Sequence, residues 1–556
     1  MSEQIQKKTL SPSKQGLRET LTAFLLRNEF LIPLSLFLLF LAVTLPGISW
    51  GAWHPDEVVI RSINALLGEW RFSEINFDYP DLPQYAMYWL GKAIMALGYN
   101  ADDLLVPARV LSAILAGFTI VLTYKIARLA GGNIYVAGLS GLFLWCVSEL
   151  AHNARFAHND TFVIFFTTLS LLFLLHYHKR RHRGWLYATF LTTGMAASSK
   201  YIGGSFILAP VLYYLFTMRK ELRTNLFSMA ETVFISAALT FLGYAVGTPK
   251  ALFAMTYYFK RVFAALQWQI NYGNQPGNVR GFLGQYQTLW TGLGWVIFLL
   301  FAAGFLWACY RVFQSTRNKS IQQEPQVSSF AVMLLAVFAL DLPMLISYNF
   351  QFRYFLTILP ILAIFSAFLV ESIYTQATQR NKSYAGLVVA AVALIVLYSF
   401  ARLVSVALLF MNDARKPGGE FLKTLPMGTS LEATFYTPDI PADHFGREHN
   451  YPIYFIRSIH DEVPADKRYE FNTGEAGLDD RQTTYLVIDS FIASRFDDKY
   501  TCSLMPSECE FFRQLATGRS DHYTLIAEFS YQLPAFLPQI EIEYVNPTIR
   551  VFERIP

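Results

Sequence analysis

The chain is short of charge. Of its 556 residues, 15% are Asp, Glu, Lys or Arg, against 53% that are hydrophobic. A soluble domain carries roughly 25% charged residues, so this chain cannot cover a water-facing surface of its size. Four cysteines in so long a chain exclude a small disulfide scaffold. No CxxC pair or His/Cys cluster is spaced for a structural zinc. Disorder, collagen and coiled coil are excluded as well. What is plentiful is aromatic: 48 Phe, 31 Tyr and 10 Trp, a load suited to membrane–water interfaces.

The formal charge of +4 hides a split along the chain. Residues 411–556 hold 14 Lys/Arg and 23 Asp/Glu, a net of −9, which leaves the first 410 residues at +13. The cations of the basic part lie in short clusters between apolar runs, so no nucleic acid is expected as a partner.

Those runs are long enough to cross a bilayer, which takes about 20 apolar residues per helix. Eleven spans are expected: 30–50, 107–127, 134–150, 161–177, 185–199, 202–218, 232–247, 290–310, 330–346, 354–370 and 384–401. The first follows some thirty polar residues and is too long for the apolar region of a cleaved signal. Lys and Arg orient the stack. With residues 1–29 inside, alternate loops carry Lys7, Lys8, Lys14, Arg18 and Arg27, then Lys125 and Arg128, then Lys179 to Arg183. The pattern continues with Arg219, Lys220 and Arg223, with Arg311, Arg317 and Lys319, and with Arg380 and Lys382. Such a bias at six consecutive loops is the positive-inside pattern. It places the N-terminus in the cytoplasm and the C-terminus outside.

Two outside loops exceed a simple connector. Residues 51–106 contain His54-Pro55-Asp56-Glu57, a helix-like stretch 58–68, the run Tyr79-Pro80-Asp81-Leu82-Pro83 and an amphipathic stretch 85–97. Two helices lying along the outer interface are expected there. Residues 248–289, with Asn271 to Asn278 rich in Gly, Asn and Gln, read either as a mobile lid or as a solvated linker. After Asn412 the pattern changes to a short helix at 418–425 and strand-like runs at 430–436, 484–488, 523–529 and 548–552. The expected division is a cytoplasmic segment 1–29, a transmembrane domain 30–410 and a small external mixed α/β domain 411–556. Cys502 and Cys509 fall in that external domain, where a disulfide is expected, while Cys146 and Cys309 lie within spans.

The ionisable residues at the outer mouths of the spans carry the chemistry. Asp56 and Glu57 follow the first span, Asp160 opens the fourth, Lys200 sits in the turn Ser198-Ser199-Lys200-Tyr201, and Arg353 precedes Tyr354. All fall on one side of the membrane, where charge is costly unless paired or hydrated. Two carboxylates beside two cations can remove a proton or bind a divalent metal, and can hold a phosphate. Snorkelling to the interface is the plainer reading of each one alone.

Taken in order, these residues resemble a family. Trp53-His54-Pro55-Asp56-Glu57 is similar to the first-loop acidic motif of the membrane-embedded GT-C glycosyltransferases, in the group of protein mannosyltransferases and lipid A aminoarabinose transferases. Tyr79-Pro80-Asp81-Leu82 with Tyr85 and Tyr88-Trp89-Leu90 resembles that group's Pro-Pro-Leu-Tyr-Tyr-Trp segment. Ala108-Arg109-Val110-Leu111-Ser112-Ala113 resembles its Arg-containing second span, and Arg155 through Asp160 its second acidic site. Gly194 through Tyr201 resembles its Gly-Leu-Ala-x-x-x-Lys-Tyr turn, and Arg353-Tyr354 its late Arg-Tyr motif. The resemblance is strong over 30–215 and mostly architectural beyond.

It implies an all-α polytopic GT-C-like membrane fold with the small α/β domain appended. The implied activity is transfer of a sugar from a dolichyl- or polyprenyl-phosphate donor to an acceptor hydroxyl on a glycan, lipid or protein at the external face. Asp56 is expected as the base of an inverting displacement. Asp160 is expected to orient the acceptor or share a metal with Asp56. Glu57 is expected to position acceptor or backbone, and Lys200 and Arg353 to hold the lipid phosphate, with Tyr79 and Lys92 also lining the substrate site. Where many members of that group have Lys-Pro-Pro, this chain has Tyr79-Pro80-Asp81; a donor-facing cation is missing, and Lys92 or Arg61 are the candidates to replace it. A transporter or flippase of a lipid-linked substrate is the alternative from another class, opposed by the absence of an inverted repeat. An inactive homologue is opposed by the presence of all three acids. The C-terminal Arg554-Ile555-Pro556 is no retention signal, which favours a bacterial or archaeal plasma membrane.

Overall fold

The structure, a computed structural model, describes residues 29–69, 79–219, 226–271, 282–348 except Gln323, 351–440, 442–445, 450–452, 478–479 and 482–556. The expected N-terminal cations, Lys220, Arg223 and the Asn-rich run 272–278 lie outside the described residues.

Each expected span carries a helix. Among the described residues, eight helical stretches are long and apolar enough to cross a membrane; they match the expected spans apart from 30–50, 134–150 and 185–199. Those three carry α1 (Leu31–Thr44), α5 (Ile134–Trp145) and α7 (Arg183–Ser199), of 14, 12 and 17 residues. The first outer loop forms the two expected helices, α2 (Val59–Leu67) and α3 (Leu82–Ala96). Between these and α5 runs α4 (Leu105–Leu129). Then come α6 (Asn159–Arg180), α8 (Leu208–Met218) and α9 (Leu226–Gly247). The second outer loop, read as a mobile lid or a solvated linker, carries two helices, α10 (Met255–Asn271) and α11 (Phe282–Leu293), on either side of its undescribed middle. The reason lies in the spacing of Phe259, Phe263 and Leu266, which repeats at helical period outside the Gly/Asn run. Gly294, at φ 71, separates α11 from the next span. The spans α12 (Trp295–Ser315), α13 (Pro325–Leu345), α14 (Leu359–Arg380) and α15 (Lys382–Met411) follow.

The chain divides into two compact units, one of residues up to Leu45 with Asp56–Leu403, the other of Pro46–Pro55 with Val404–Pro556. In the first, one apolar core joins α1, α4 to α8 and α12 to α14. Helices α7 and α9 meet backbone to backbone. A Cβ at Gly194 would come within 2.1 Å of the Thr240 carbonyl oxygen, and one at Gly243 within 2.1 Å of the Leu191 oxygen. Small residues let membrane helices approach this closely, since apolar side chains gain little by leaving lipid.

The second unit has a five-stranded mixed sheet, β1 (Leu431–Ala433), β2 (Asn450–Pro452), β3 (Tyr485–Asp489), β4 (Tyr523–Phe529) and β5 (Ile549–Arg554), in the order β2-β1-β3-β5-β4. The strand β1 runs parallel to β2 and β3, while β5 is antiparallel to β3 and β4. Successive side chains of a strand point to opposite faces, and here both faces are covered. Leu486 and Ile488 pack on Phe511, Phe512 and Leu515 of α17 (Pro506–Thr517), Tyr485 and Val487 on Leu422 of α16 (Arg415–Leu422). That is why β3 is buried along its whole length. The expected disulfide joins Cys502 to Cys509, with Cα atoms 5.5 Å apart.

Candidate active site

The five outer-mouth residues sit where a helix begins or breaks, Glu57 directly before the N-cap residue of α2. Asp160 lies in the first turn of α6, which His158 precedes in extended conformation. Lys200 is the extended residue between α7 and a 3-10 turn, Tyr201–Ile207. Arg353 lies in the 3-10 turn Phe352–Ile358 that leads into α14. Asp56 precedes α2. Helix ends expose unsatisfied backbone groups and charge-compatible dipoles, so polar side chains collect there.

The first contacts stitch the two acidic segments together. The Val58 amide donates to the Ala157 carbonyl at 3.1 Å, and the Ala157 amide donates to Glu57 Oε1 at 2.8 Å. Arg109, from α4, grips the same carboxylate with Nε to Oε1 and Nη2 to Oε2, both at 2.7 Å. Both side chains are fully buried. A bidentate Arg–carboxylate pair fixes orientation as well as distance. Glu57 therefore positions backbone, holding the Asp56 segment against the segment that leads to Asp160.

On that frame the remaining charges form a chain. Arg353 Nη1 lies 2.7 Å from Asp56 Oδ2 and 3.1 Å from His158 Nε2. Its Nε donates to Gln351 Oε1 at 2.6 Å. With Nε2 accepting from Arg353, the ring proton of His158 sits on Nδ1, which faces the Asp160 carboxylate. Lys200 Nζ donates to Asp160 Oδ1 at 2.6 Å and stands 4.6 Å over the Tyr354 ring. The sequence Asp56, Arg353, His158, Asp160, Lys200 is thus continuous, with Arg353 and His158 standing between the two carboxylates and Lys200 closing the far end. Tyr79 reaches Asp56 Oδ1 through its hydroxyl at 3.4 Å. Burial, with the Asp56 charge adding to it, pushes the Tyr79 phenol well above its ordinary range, so it stays a proton donor.

The residues differ in access. The Asp56 side chain is 29% exposed and that of Asp160 is 1% exposed. Lys92 stays outside this chain: it is exposed and lies 5.4 Å over the Tyr88 ring. A metal shared by Asp56 and Asp160 would meet two carboxylates already opposed by Arg353 and Lys200. The two carboxylates are therefore already charge-balanced by side chains of the site.

Sequence reasoning gave no role to His158, which bridges the two halves, or to Lys250, which is buried and pairs with Asp81 at 2.9 Å. The only signal for Lys250 was a cation next to the end of a span; its partner lies 169 positions away.

Residues 84–273 match the model of the dolichyl-phosphate-mannose-protein mannosyltransferase family. The folds that resemble this one belong to membrane glycosyltransferases. The archaeal oligosaccharyltransferase AglB of Archaeoglobus fulgidus, solved with an inhibitory peptide and a dolichol-phosphate, superposes with a TM-score of 0.54 at 11% identity, over 94% of this chain and 88% of its own. ArnT of Cupriavidus metallidurans, solved with undecaprenyl phosphate, superposes with a TM-score of 0.50 at 14% identity, over 93% and 97%. The chain has the GT-C fold and is an integral, multi-pass membrane protein. A protein of Aquifex aeolicus (strain VF5) is 30% identical over 182 residues, 31% of this chain and 34% of that relative, so the match spans about a third of the relative's length.

Proposed function

We propose that the chain is a glycosyltransferase that moves a sugar from a polyprenyl- or dolichyl-phosphate donor to an acceptor hydroxyl at the external face of the membrane. The observation that carries this reading is the Asp56–Arg353 pair on a GT-C fold: a part-exposed carboxylate joined to a guanidinium at 2.7 Å. The acceptor oxygen attacks the anomeric carbon and the bond from that carbon to the phosphate oxygen breaks, with its electron pair left on the phosphate. The acceptor proton passes to Asp56. The products are the glycoside, inverted at that carbon, and the lipid phosphate.

The pair suits this exchange of charge. As Asp56 takes the proton it ceases to be the counter-ion of Arg353, at the moment the leaving phosphate gains negative charge. Arg353 then turns its charge to the phosphate, and its planar fork can grip two oxygens. Lys200 supplies a second cation, oriented by Asp160. Glu57 and Arg109 hold the frame, and Tyr79 keeps Asp56 in place through its hydroxyl.

The test is incubation of the purified protein with radiolabelled polyprenyl-phosphate sugars and membrane extract, wild type against Asp56→Asn. Transfer by the wild type and its loss in the variant are expected; equal transfer by both would remove Asp56 from the mechanism. The external location rests on the Lys/Arg bias. A cysteine at Lys179 should be shielded from membrane-impermeant maleimide in intact cells, and one at Asn278 should label; the reverse would invert the topology.

A further inference from the structure

Asp81 stands at the N-cap position of α3, yet its side chain caps nothing. Instead Oδ1 receives Lys250 Nζ at 2.9 Å, with both residues buried. The second oxygen, Oδ2, is buried and has no hydrogen-bond partner among the described residues. The Asp81 amide donates to Thr248 Oγ1 at 3.1 Å, and Thr248 Oγ1 lies 2.7 Å from Ser198 Oγ. Three elements meet here: the start of α3, the end of α7 and the segment that follows α9. They meet without slack. A Cβ at Gly247 would fall 2.4 Å from Ser198 Oγ and 2.6 Å from the Leu82 Cβ.

Each end of this junction leads to a different carboxylate of the site. Two residues before Asp81 is Tyr79, whose hydroxyl reaches Asp56. Two residues after Ser198 is Lys200, whose ammonium holds Asp160. We propose that Asp81 and Lys250 are positioning residues of the candidate site: their ion pair clamps α3 to the segment after α9, and so holds Tyr79 on Asp56 and Lys200 on Asp160 at once. Neither residue touches the reacting atoms.

The clamp opens on acidification. Burial raises the Asp81 carboxyl to about 6, against the opposing attraction of Lys250. Besides Lys250, the ionisable groups acting on or near it are Arg61 of α2, Tyr85 of α3 and Tyr244 of α9. Arg61 also favours the carboxylate, and burial raises the Tyr85 phenol, which stays neutral across this range. The folded-state value lies above the unfolded one, so the fold binds this proton more tightly than the open chain does. Below pH 6 the pair is lost, but protonating Asp81 does not itself unfold the protein.

This inference rests on the proposed transferase activity only for its kinetic readout. Hydrogen–deuterium exchange on the full-length protein in detergent, with no ligand added, tests the clamp alone. Amides of 82–90 and 199–203 should exchange faster in Asp81→Asn and Lys250→Met at pH 7.5, while those of β3 stay as in wild type. Corrected for intrinsic rates, the wild type should approach the Asp81→Asn pattern between pH 7 and 5, and Lys250→Arg should keep protection. In the transfer assay, Asp81→Asn should lower kcat/KM for the donor roughly 10- to 100-fold, the range a misplacement of about 1 Å costs, with the acid limb near pH 6 gone. Unchanged exchange in Asp81→Asn, or loss of protection spread evenly over the chain, would overturn the clamp. Absent transfer by the wild type would count against the transferase reading and leave the exchange result standing.

Discussion

Asp56 and Asp160 are the same residue in two settings. Asp56 is part-exposed, with Arg353 on one oxygen and a long contact from Tyr79 on the other. Asp160 is closed off, with Lys200 on Oδ1 and His158 facing Oδ2. A carboxylate can serve as a base only where substrate reaches it, and a buried, doubly opposed one serves to hold its partners still. The contrast suits the proposed reading, in which Asp56 is the base and Asp160 orients its partners. Two aspartates at the mouths of two spans thus differ in exposure and partners.

The contrast can be broken most sharply at Asp56. Asp56→Asn should reduce transfer roughly 10²-fold or more while thermal unfolding stays near wild type, because a part-exposed pair adds little to stability. A variant with near-normal turnover would end the contrast. Asp160→Asn should behave in the opposite manner. It leaves Lys200 buried beside a neutral amide, and removing one partner of a buried pair costs roughly 3–5 kcal/mol. A clear fall in melting temperature is expected together with loss of activity; a variant as stable as wild type would mean that Asp160 is not holding Lys200.

The cations sharpen the comparison with smaller effects. Lys200→Ala and Arg353→Lys should each weaken donor use roughly 10- to 100-fold, the value of about 1.5–3 kcal/mol for a hydrogen bond to a charged group. Their double variant should fall short of the product of the two, since both would act on one phosphate. Multiplicative effects would place them at separate sites. The smallest change is expected at His158. His158→Gln cuts the bridge between Arg353 and Asp160 but leaves both ion pairs, so turnover should fall only several-fold, by about 1 kcal/mol. A loss as large as that of Asp56→Asn would make His158 a participant in proton transfer.

Much of the fold was legible because apolar length and Lys/Arg asymmetry are local signals. A run of lipid-facing residues needs only its own composition to become a helix, since unsatisfied backbone is intolerable in hydrocarbon. Hence all eleven expected spans carry helices, and α2, α3 and four of the five strands fall at the expected places. The helices within 248–289, read as a mobile lid or solvated linker, were not foreseen because the Gly/Asn run at its centre masked amphipathic periodicity on either side. The short β2 (Asn450–Pro452) carried no alternation long enough to detect.

By itself the sequence determined which residues could carry charge at the outer ends of the spans, and so where a site must be sought. That follows from the expense of ions near a bilayer, which leaves few in place. Only the tertiary structure decided how those ions pair. Glu57 turned to Arg109 and the Ala157 amide, His158 became the link between Arg353 and Asp160, and Asp81 found Lys250 across 169 positions. Partner choice depends on distances of a few ångströms set by helix packing, such as the backbone contact of α7 with α9 at Gly194 and Gly243. A Coulombic preference for the opposite sign cannot name its partner until packing brings one within reach.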